Sequence, residues 1–318
     1  MERYHAAQIM PVTYCHFDLQ ARQIGWISSA YRRCYSPLMQ PPSTPHSTPD
    51  LAVSVVLFHT PLDQLRALID TLIVAIAKAG VGPVELVCVD HSTDTGYVEQ
   101  YPALLAGYDQ DSLAVRLLQP GCNAGYGAGH NRAVATLNSR IHLILNPDVE
   151  LSPDSVRLAL EAFDKQQETA VLAPMGFNPM GDPEYLAKAY PSVSVLGLRA
   201  LAPKAVKAFF EKALARYEMR DQESASMIRP ITLASGCCMW VRRAVFDRVG
   251  GFDESFFLYF EDYDLSLKMA AFGDVLEHRG IEIIHHGGQA SRKGLTHVRW
   301  FVSGAFKFFK RWGWKWFG

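Results

Sequence analysis

The chain reads as an α/β fold with a mostly parallel sheet flanked by helices. Two observations predict it. From residue 51 onward, short β-branched apolar runs alternate with longer stretches of helical periodicity, the pattern of strand-helix-strand crossovers. Asp90 and Asp148 stand where two of the runs stop, and the carboxyl ends of strands are where open α/β sheets bind ligands. With 318 residues, 49% of them hydrophobic and 20% charged, the chain can fill one large core or two modest ones. A formal net charge of -1 gives no global field for recruiting nucleic acid. The six cysteines show no C-x-x-C spacing, so neither a zinc site nor a disulfide framework is signalled, and a reducing cytoplasm fits. No apolar run reaches the ~18–20 residues that span a bilayer, and the N-terminus lacks the layout of a signal peptide.

Residues 1–50 are expected to be a disordered, Pro-rich N-terminal extension, or else a linker behind a small N-terminal element. They end in a segment from Ser36 to Pro49 whose prolines remove backbone donors and disfavour helix in the residue before them. Val53 to Phe58 is a buried strand. Residues 62–79 carry Leu62, Leu65, Leu68, Ile69, Leu72, Ile73 and Ile76 along one helical stripe. Val84 to Val89 is the next strand and runs into Asp90. Val115 to Leu118 and Ile141 to Leu145 follow, with a short helix from Gly127 to Asn138 between them. Residues 152–168 form a helix with Ser152 as its cap and Pro153 in its first turn, and Val171-Leu172-Ala173 returns to the sheet. Beyond lie an amphipathic helix over 203–220 and two strands, Ile231 to Ala234 and Cys238 to Val241, flanking Ser235-Gly236. A helix from Asp262 to Phe272 and a strand, Ile281 to Ile284, ending at His285 complete the pattern.

Four clusters carry chemistry. Asp90, followed by His91-Ser92-Thr93, can accept from a nucleobase or ribose hydroxyl, or can simply cap a turn. The glycine-rich stretch from Gly121 to Asn131 lets backbone amides approach a phosphate or sugar closely. It also offers a G-x-G-x-G with an acid about twenty positions on, as a nicotinamide-dependent dehydrogenase would, although its glycines follow the third strand rather than the first. Asp148, in Asn146-Pro147-Asp148, is a turn residue or a ligand for a hard divalent cation, Mg²⁺ or Mn²⁺, with His285 or His286 as second ligand. Glu261 and Asp262 open a helix after the aromatic run Phe256 to Phe260. The helix dipole alone favours acids there, yet carboxylates beside an aromatic wall also suit a general base next to a sugar.

The ordered set carries a family likeness. Its members are the strand at 53–58, Asp90, Asn123 to Asn131, Asn146-Pro147-Asp148, Ser235-Gly236 through Arg243, Gly250 to Glu254 and Phe260 to Leu265. Over roughly residues 51 to 310 it resembles the family 2 glycosyltransferases of GT-A fold, with their Rossmann-like sheet, and most closely the bacterial rhamnosyltransferase branch. The resemblance implies an inverting transfer from a nucleotide-diphosphate sugar in one displacement. It assigns Asp262, or failing it Glu261, as the base, and Asp148 with His285 to a divalent metal. His59, Asp90, Asn123, Gly125, Gly127, His130, Asn131 and Asn146 fall to the nucleotide sugar. Ser235, Gly236, Arg292 and Lys293 fall to the acceptor or the diphosphate. Asn146 replaces the first acid of the usual D-x-D, and His59 replaces the asparagine common after the first strand.

These readings divide the chain into the extension, a catalytic domain over 51–294 and a C-terminal aromatic and basic helix over 295–318. That tail mixes Arg299, Lys307, Lys310, Arg311 and Lys315 with nine aromatic residues, as suits the headgroup region of an anionic leaflet. Its first turns are expected to pack, with Val298, Phe301, Val302 and Phe309 buried, and residues 304–318 to touch membrane. The expected enzyme is peripheral on the cytoplasmic face of the inner membrane. It moves L-rhamnose from dTDP-L-rhamnose onto a lipid-linked or polysaccharide acceptor in cell-surface glycan (O-antigen, lipopolysaccharide or capsule) synthesis. A UDP-hexose donor, a nicotinamide-dependent oxidoreductase and a non-catalytic glycan-binding protein are the alternatives.

Overall fold

The computed structural model describes residues 48–220, 226–287 and 294–317. The N-terminal extension up to residue 47 and two candidate site residues, Arg292 and Lys293, lie outside them. The described strands are β1 (Leu51–Leu57), β2 (Val84–Asp90), β3 (Leu113–Leu118), β4 (Ile141–Leu145), β5 (Val149–Leu151), β6 (Thr169–Phe177), β7 (Pro183–Glu184), β8 (Ile228–Pro230), β9 (Cys238–Arg242) and β10 (Asp274–His285). They form one sheet in the order β3-β2-β1-β4-β9-β6-β10-β5, with β7 on β6 and β8 on β10. The half built from β3, β2, β1 and β4 is parallel throughout. Beyond it the sheet is mixed, because β9 runs antiparallel to both β4 and β6 while β10 runs parallel to β6.

The helix over 62–79 forms as read, α1 (Leu62–Ala79), because its stripe is long and uninterrupted. Leu65, Leu68, Ile69 and Leu72 are fully buried against the sheet. Gly80, at φ 65°, ends it by donating its N–H to the carbonyl of Ile76. The second helix, α2 (Thr95–Ala106), has no counterpart among the elements expected from sequence, since Pro102 interrupts it and its amphipathic stripe is weak. Asp94 caps it by accepting from the N–H of Gly96. The glycine-rich stretch yields α3 (Tyr126–Val134). The helix expected from Ser152 is shorter, α4 (Ser155–Lys165), because the Ser152 N–H is bonded to the Glu282 carbonyl beside β5.

After β7 come α5 (Val193–Leu201), α6 (Lys204–Phe209) and α7 (Glu211–Tyr217), so the expected helix over 203–220 is broken at Phe210. Ile231 to Ala234 is extended without forming a strand ladder, as Ile231 bonds Val275 while Leu233 bonds Lys188. The remaining helices are α8 (Arg243–Arg248), α9 (Glu261–Ala270) and α10 (Leu295–Trp312). Among the described cysteines, Cys88, Cys237 and Cys238 are buried free thiols. No helix among the described residues is long and apolar enough to cross a membrane.

The tail packs only partly as expected: Phe309 is buried and Phe301 packs beside it, but Val298 and Val302 face outward and the last turns are held in the core. Val298 and Val302, in its first turns, are 55% and 60% exposed, whereas Phe308 and Phe309 are 0% and 2% exposed. Phe308 lies against Tyr190, Phe260 and Tyr263. The last residues are strapped back onto α5, whose Val193 and Ser194 amides donate to the carbonyls of Lys315 and Trp316. Two of the orphan N–H groups at that helix start are thereby satisfied. Arg311 and Trp312 both donate to Asp264, which is fully buried. Residues 304–318 therefore cannot be removed as a detachable anchor. Phe308→Ala is expected to cost ~3–5 kcal/mol, the usual range for emptying a buried phenylalanine site, read as a lowered denaturation midpoint. A variant as stable as the parent would show that α10 is not part of the core.

Candidate active site

Two cavities flank the candidate site, the first at the carboxyl ends of β1 and β4 and the second among the helices beyond. The first, about 540 Å³, is lined by His59, Thr60, Gln64, Tyr126, Asn146 and Asp148, among others. The second, about 400 Å³, is lined by Arg199, Tyr217, Tyr259, Glu261, Asp262 and Phe301. Between them stands one hydrogen-bonded unit. The Tyr126 hydroxyl donates to the carbonyl of Gly236 at 2.6 Å, and the Gly236 N–H donates to Asp262 Oδ2 at 3.0 Å. A Cβ on Gly236 would stand 3.2 Å from Asp262 Cβ and 3.3 Å from the Tyr126 ring, so only glycine fits without displacing both.

Asp262 also accepts from the N–H of Tyr263 through Oδ1. Burial pushes the Asp262 carboxyl above the usual carboxylate range, while these two backbone amides pull it back. Glu261 is pushed well above its ordinary value by burial and by the neighbouring Asp262 charge, and its Oε2 has no partner. The two acids therefore differ: Asp262 has donors that steady an anion, and Glu261 lacks one at Oε2. Tyr259 and Phe260, just before them, both sit in the left-handed region at φ 72° and 70°. Such strain in non-glycine residues is held in place only by surrounding packing and concentrates at functional sites.

In the first cavity Asp148 follows β4 directly. Its Oδ1 is buried without a partner, and His285 Nε2, at the end of β10, lies 3.6 Å away. A carboxylate oxygen and an imidazole nitrogen facing each other without a hydrogen bond suit a Mg²⁺ or Mn²⁺ ion between them. Among the described residues no cluster of three or more His, Cys, Asp or Glu could hold a metal alone, so ligands from outside the chain would have to complete the shell. His286 is set apart: its side chain pairs with Glu150 at 2.6 Å, and its backbone N–H donates to the Asp148 carbonyl.

His59, at φ 51°, stacks between Phe58 and Tyr97 and is steadied by its N–H to Ser92 Oγ. Asp90 is not among the residues that line this cavity. It is 1% exposed and accepts from the Ser92 N–H and from Gln119, so it braces the loop that steadies His59. Asn123 accepts from the Gly125 N–H and shapes the entry to α3. Gly125, at φ 99°, is forced: a Cβ there would come 2.5 Å from the Phe257 carbonyl oxygen, which accepts the Tyr126 N–H. Gly127 is buried against Phe252.

His130 and Asn131 point away from the cavity. His130 is fully buried, with Nδ1 2.7 Å from Ser54 Oγ, and Ser54 bonds His142 in turn. Burial holds both imidazoles far below the usual histidine range, His142 down to about 3. Asn131 ties down the Gly251 to Glu254 loop through both its side-chain atoms. Ser235 lies on the turn that carries Gly236, its Oγ accepting from the Cys237 N–H at 3.4 Å. Tyr126 and Arg199 were not singled out from sequence. A tyrosine inside a glycine-rich helix start and an arginine in an unrecognised helix give no local signal.

Comparison with known proteins agrees with this geometry. The sequence model of the family described as Glycosyl transferase family 2 matches residues 55–250. The chain belongs to that family and is a glycosyltransferase of GT-A fold. It is 28% identical over 267 residues to the N-acetylglucosaminyl-diphospho-decaprenol L-rhamnosyltransferase of Mycobacterium tuberculosis, covering 78% of this chain and 80% of the relative. It is 25% identical over 205 residues to rhamnosyltransferase WbbL of Escherichia coli K12, covering 58% and 71%. Among solved structures, GalNAc-T7 with UDP, GalNAc and Mn²⁺ superposes with a TM-score of 0.57 at 14% identity. The match covers 83% of this chain but only 48% of that one. The mannosyltransferase PcManGT of Pyrobaculum calidifontis, with GDP-Man and Mn²⁺, gives a TM-score of 0.51 at 14% identity, covering 82% and 63%.

The raised Glu261 carboxyl has a consequence for stability. A carboxyl whose folded pKa exceeds its unfolded value binds more protons in the native state, so stability falls as pH rises from the unfolded toward the folded pKa. Glu261→Gln is expected to melt higher than the parent at pH 8 and to lose that advantage at pH 4. A constant difference between the two pH values would mean that Glu261 carries no unfavourable buried charge.

Proposed function

We propose that this glycosyltransferase moves L-rhamnose from dTDP-L-rhamnose, with inversion, onto a lipid-linked glycan acceptor in cell-surface polysaccharide synthesis. The supporting observation is the two-cavity site divided by the Tyr126–Gly236–Asp262 unit. The names of the relatives, one an L-rhamnosyltransferase and the other a rhamnosyltransferase, support the sugar. The first name also supports the acceptor class, a sugar on a polyprenyl diphosphate.

In this scheme the cavity holding Asp148 takes the donor, and the one holding Asp262 takes the acceptor. Asp262 removes the proton of an acceptor hydroxyl as its oxygen bonds to the anomeric carbon, and the bond from that carbon to the diphosphate breaks. Asp148 and His285 would hold the divalent cation, which when bound neutralises charge on the leaving diphosphate. No protonated acid is then needed on the leaving side, so one carboxylate serves where a hydrolase uses two. The aromatic walls of the acceptor cavity, Tyr217, Tyr259 and Phe301, offer stacking surface, and Arg199 is its cation.

Because Asp262 acts on the acceptor, Asp262→Asn is expected to abolish transfer while binding nucleoside diphosphate as the parent does. A variant keeping more than about a tenth of the rate has lost less than ~1.4 kcal/mol and would remove Asp262 from the role. The donor is tested by thermal shift against dTDP-rhamnose, UDP-hexoses, GDP-mannose and NAD(P)H. Strongest stabilisation by dTDP-rhamnose is expected, a UDP-hexose in its place would reassign the sugar, and a response to NAD(P)H alone would overturn the reading.

We also place the enzyme at the inner-leaflet membrane surface. Val302, Phe306 and Phe317 are 60%, 55% and 81% exposed on the same terminal segment as Lys307, Lys310 and Lys315. Apolar insertion with basic attraction to anionic lipid is the partner such a face suits. Phe306→Ser with Phe317→Ser is expected to weaken cosedimentation with phosphatidylglycerol vesicles and to spare transfer to a soluble acceptor analogue. No vesicle binding by the parent protein at low salt would sink the membrane placement.

A further inference from the structure

His285 is gripped from the side opposite Asp148. Its Nδ1 lies 2.8 Å from Glu184 Oε2, a residue of the two-residue strand β7 that pairs with the end of β6. An ionised carboxylate only accepts hydrogen bonds, so the ring nitrogen facing Glu184 carries a proton. That contact turns the other nitrogen, Nε2, toward Asp148 Oδ1, itself buried and without a hydrogen-bond partner. The two atoms stand 3.6 Å apart with no hydrogen bond between them, a separation that leaves room for a cation held by both. The next residue shows the contrast. His286 bonds Glu150 through Nε2 and adds to the site only its backbone N–H, which holds the Asp148 carbonyl.

We propose that Glu184 is a positioning residue for the divalent-cation site. It locks His285 in the Nδ1–H tautomer and aims Nε2 at the place where Asp148 waits for an ion. The inference rests on the cation site of the proposed function and adds to it a member that touches neither metal nor substrate. Carboxylate partners of metal-binding histidines fix ring orientation and raise ligand basicity, and their loss typically weakens metal binding 10–100-fold. The same geometry explains why His285, and not His286, is the ligand.

Two measurements on the full chain test this. In [¹⁵N]histidine-labelled protein without metal, at pH 8.5, the His285 signals, assigned by their loss in His285→Gln, are expected to show a protonated Nδ1 and a bare Nε2. Glu184→Ala is expected to abolish that preference, and Glu184→Gln, whose amide oxygen can still accept, to keep much of it. Unchanged tautomer signals in Glu184→Ala would overturn the positioning role whatever the metal does. Mn²⁺ binding is then read by electron paramagnetic resonance with dTDP present. About a 10–100-fold weaker affinity is expected in Glu184→Ala, partial rescue in Glu184→Gln, near-complete loss in Asp148→Ala and no change in Glu150→Ala. Parent-like affinity in Glu184→Ala, with loss in Asp148→Ala, would overturn the positioning role and leave the cation reading standing. Absence of Mn²⁺ binding by the parent would overturn both, and a melting temperature recorded for each variant separates these outcomes from unfolding.

Discussion

The site depends on the antiparallel pairing of β4 with β9. Because β9 runs against β4, its first residue, Cys238, stands beside Leu145, the last residue of β4. The chain therefore enters the sheet as Ser235-Gly236-Cys237 at the edge where it leaves as Asn146-Pro147-Asp148. The Asn146 N–H donates to the Cys237 carbonyl at 2.8 Å and fixes the junction. A parallel strand in that place would start at the opposite edge and carry Gly236 away from Asp148. From Gly236 the order passes outward to Asp262 and Tyr126 by hydrogen bonds, so one strand's direction sets the separation of the two cavities.

Holding this arrangement costs stability. At the start of α9 the buried Glu261 stands beside the half-buried Asp262, Tyr259 and Phe260 are left-handed, and Glu261 Oε2 lacks a partner. Each feature is unfavourable alone and is tolerated because α10 closes over it, with Phe308 against Phe260 and Tyr263. The terminal helix is thus a structural support for the second cavity, and its exposed residues are available to a surface at the same time. Such local departures from consistent packing belong at functional positions.

Much of the fold could be read from the chain because the signals were local. The apolar stripe of α1, the β-branched runs of β1, β2 and β4, and the acids at their ends follow from periodicity over a few residues. What escaped depends on partners far away in sequence. Nothing within Cys238 to Arg242 says that its neighbours are β4 and β6 or that it runs against both. The three-residue strand Val149–Leu151 has no counterpart among the expected elements, because it is defined only by its pairing with β10. In the tail, aromatic residues occur on every side, so composition could not say that Phe308 faces Tyr190 while Val302 faces outward. Of the candidate site, the parts that local pattern points to are Asp148, His285, Glu261 and Asp262, which sit at or near element ends. His130 and Asn131 share the glycine-rich motif, yet helix geometry turns His130 into the core and Asn131 onto the Phe252 to Glu254 loop, and Glu184 lies in a strand of two residues that no pattern reveals.

The central claim is a single displacement driven by one base facing the acceptor, and stereochemistry tests it most directly. If Asp262 activates the acceptor oxygen on the face opposite the departing diphosphate, each transfer inverts the anomeric carbon. The one-bond carbon-hydrogen coupling at that carbon in the isolated product, read by NMR from a donor of defined configuration, reports the outcome. The account predicts a product of the opposite anomeric configuration to the donor. A product of the same configuration would require a covalent intermediate or attack on the diphosphate's own face, and would contradict the roles of Asp262 as acceptor base and of Asp148 on the leaving side.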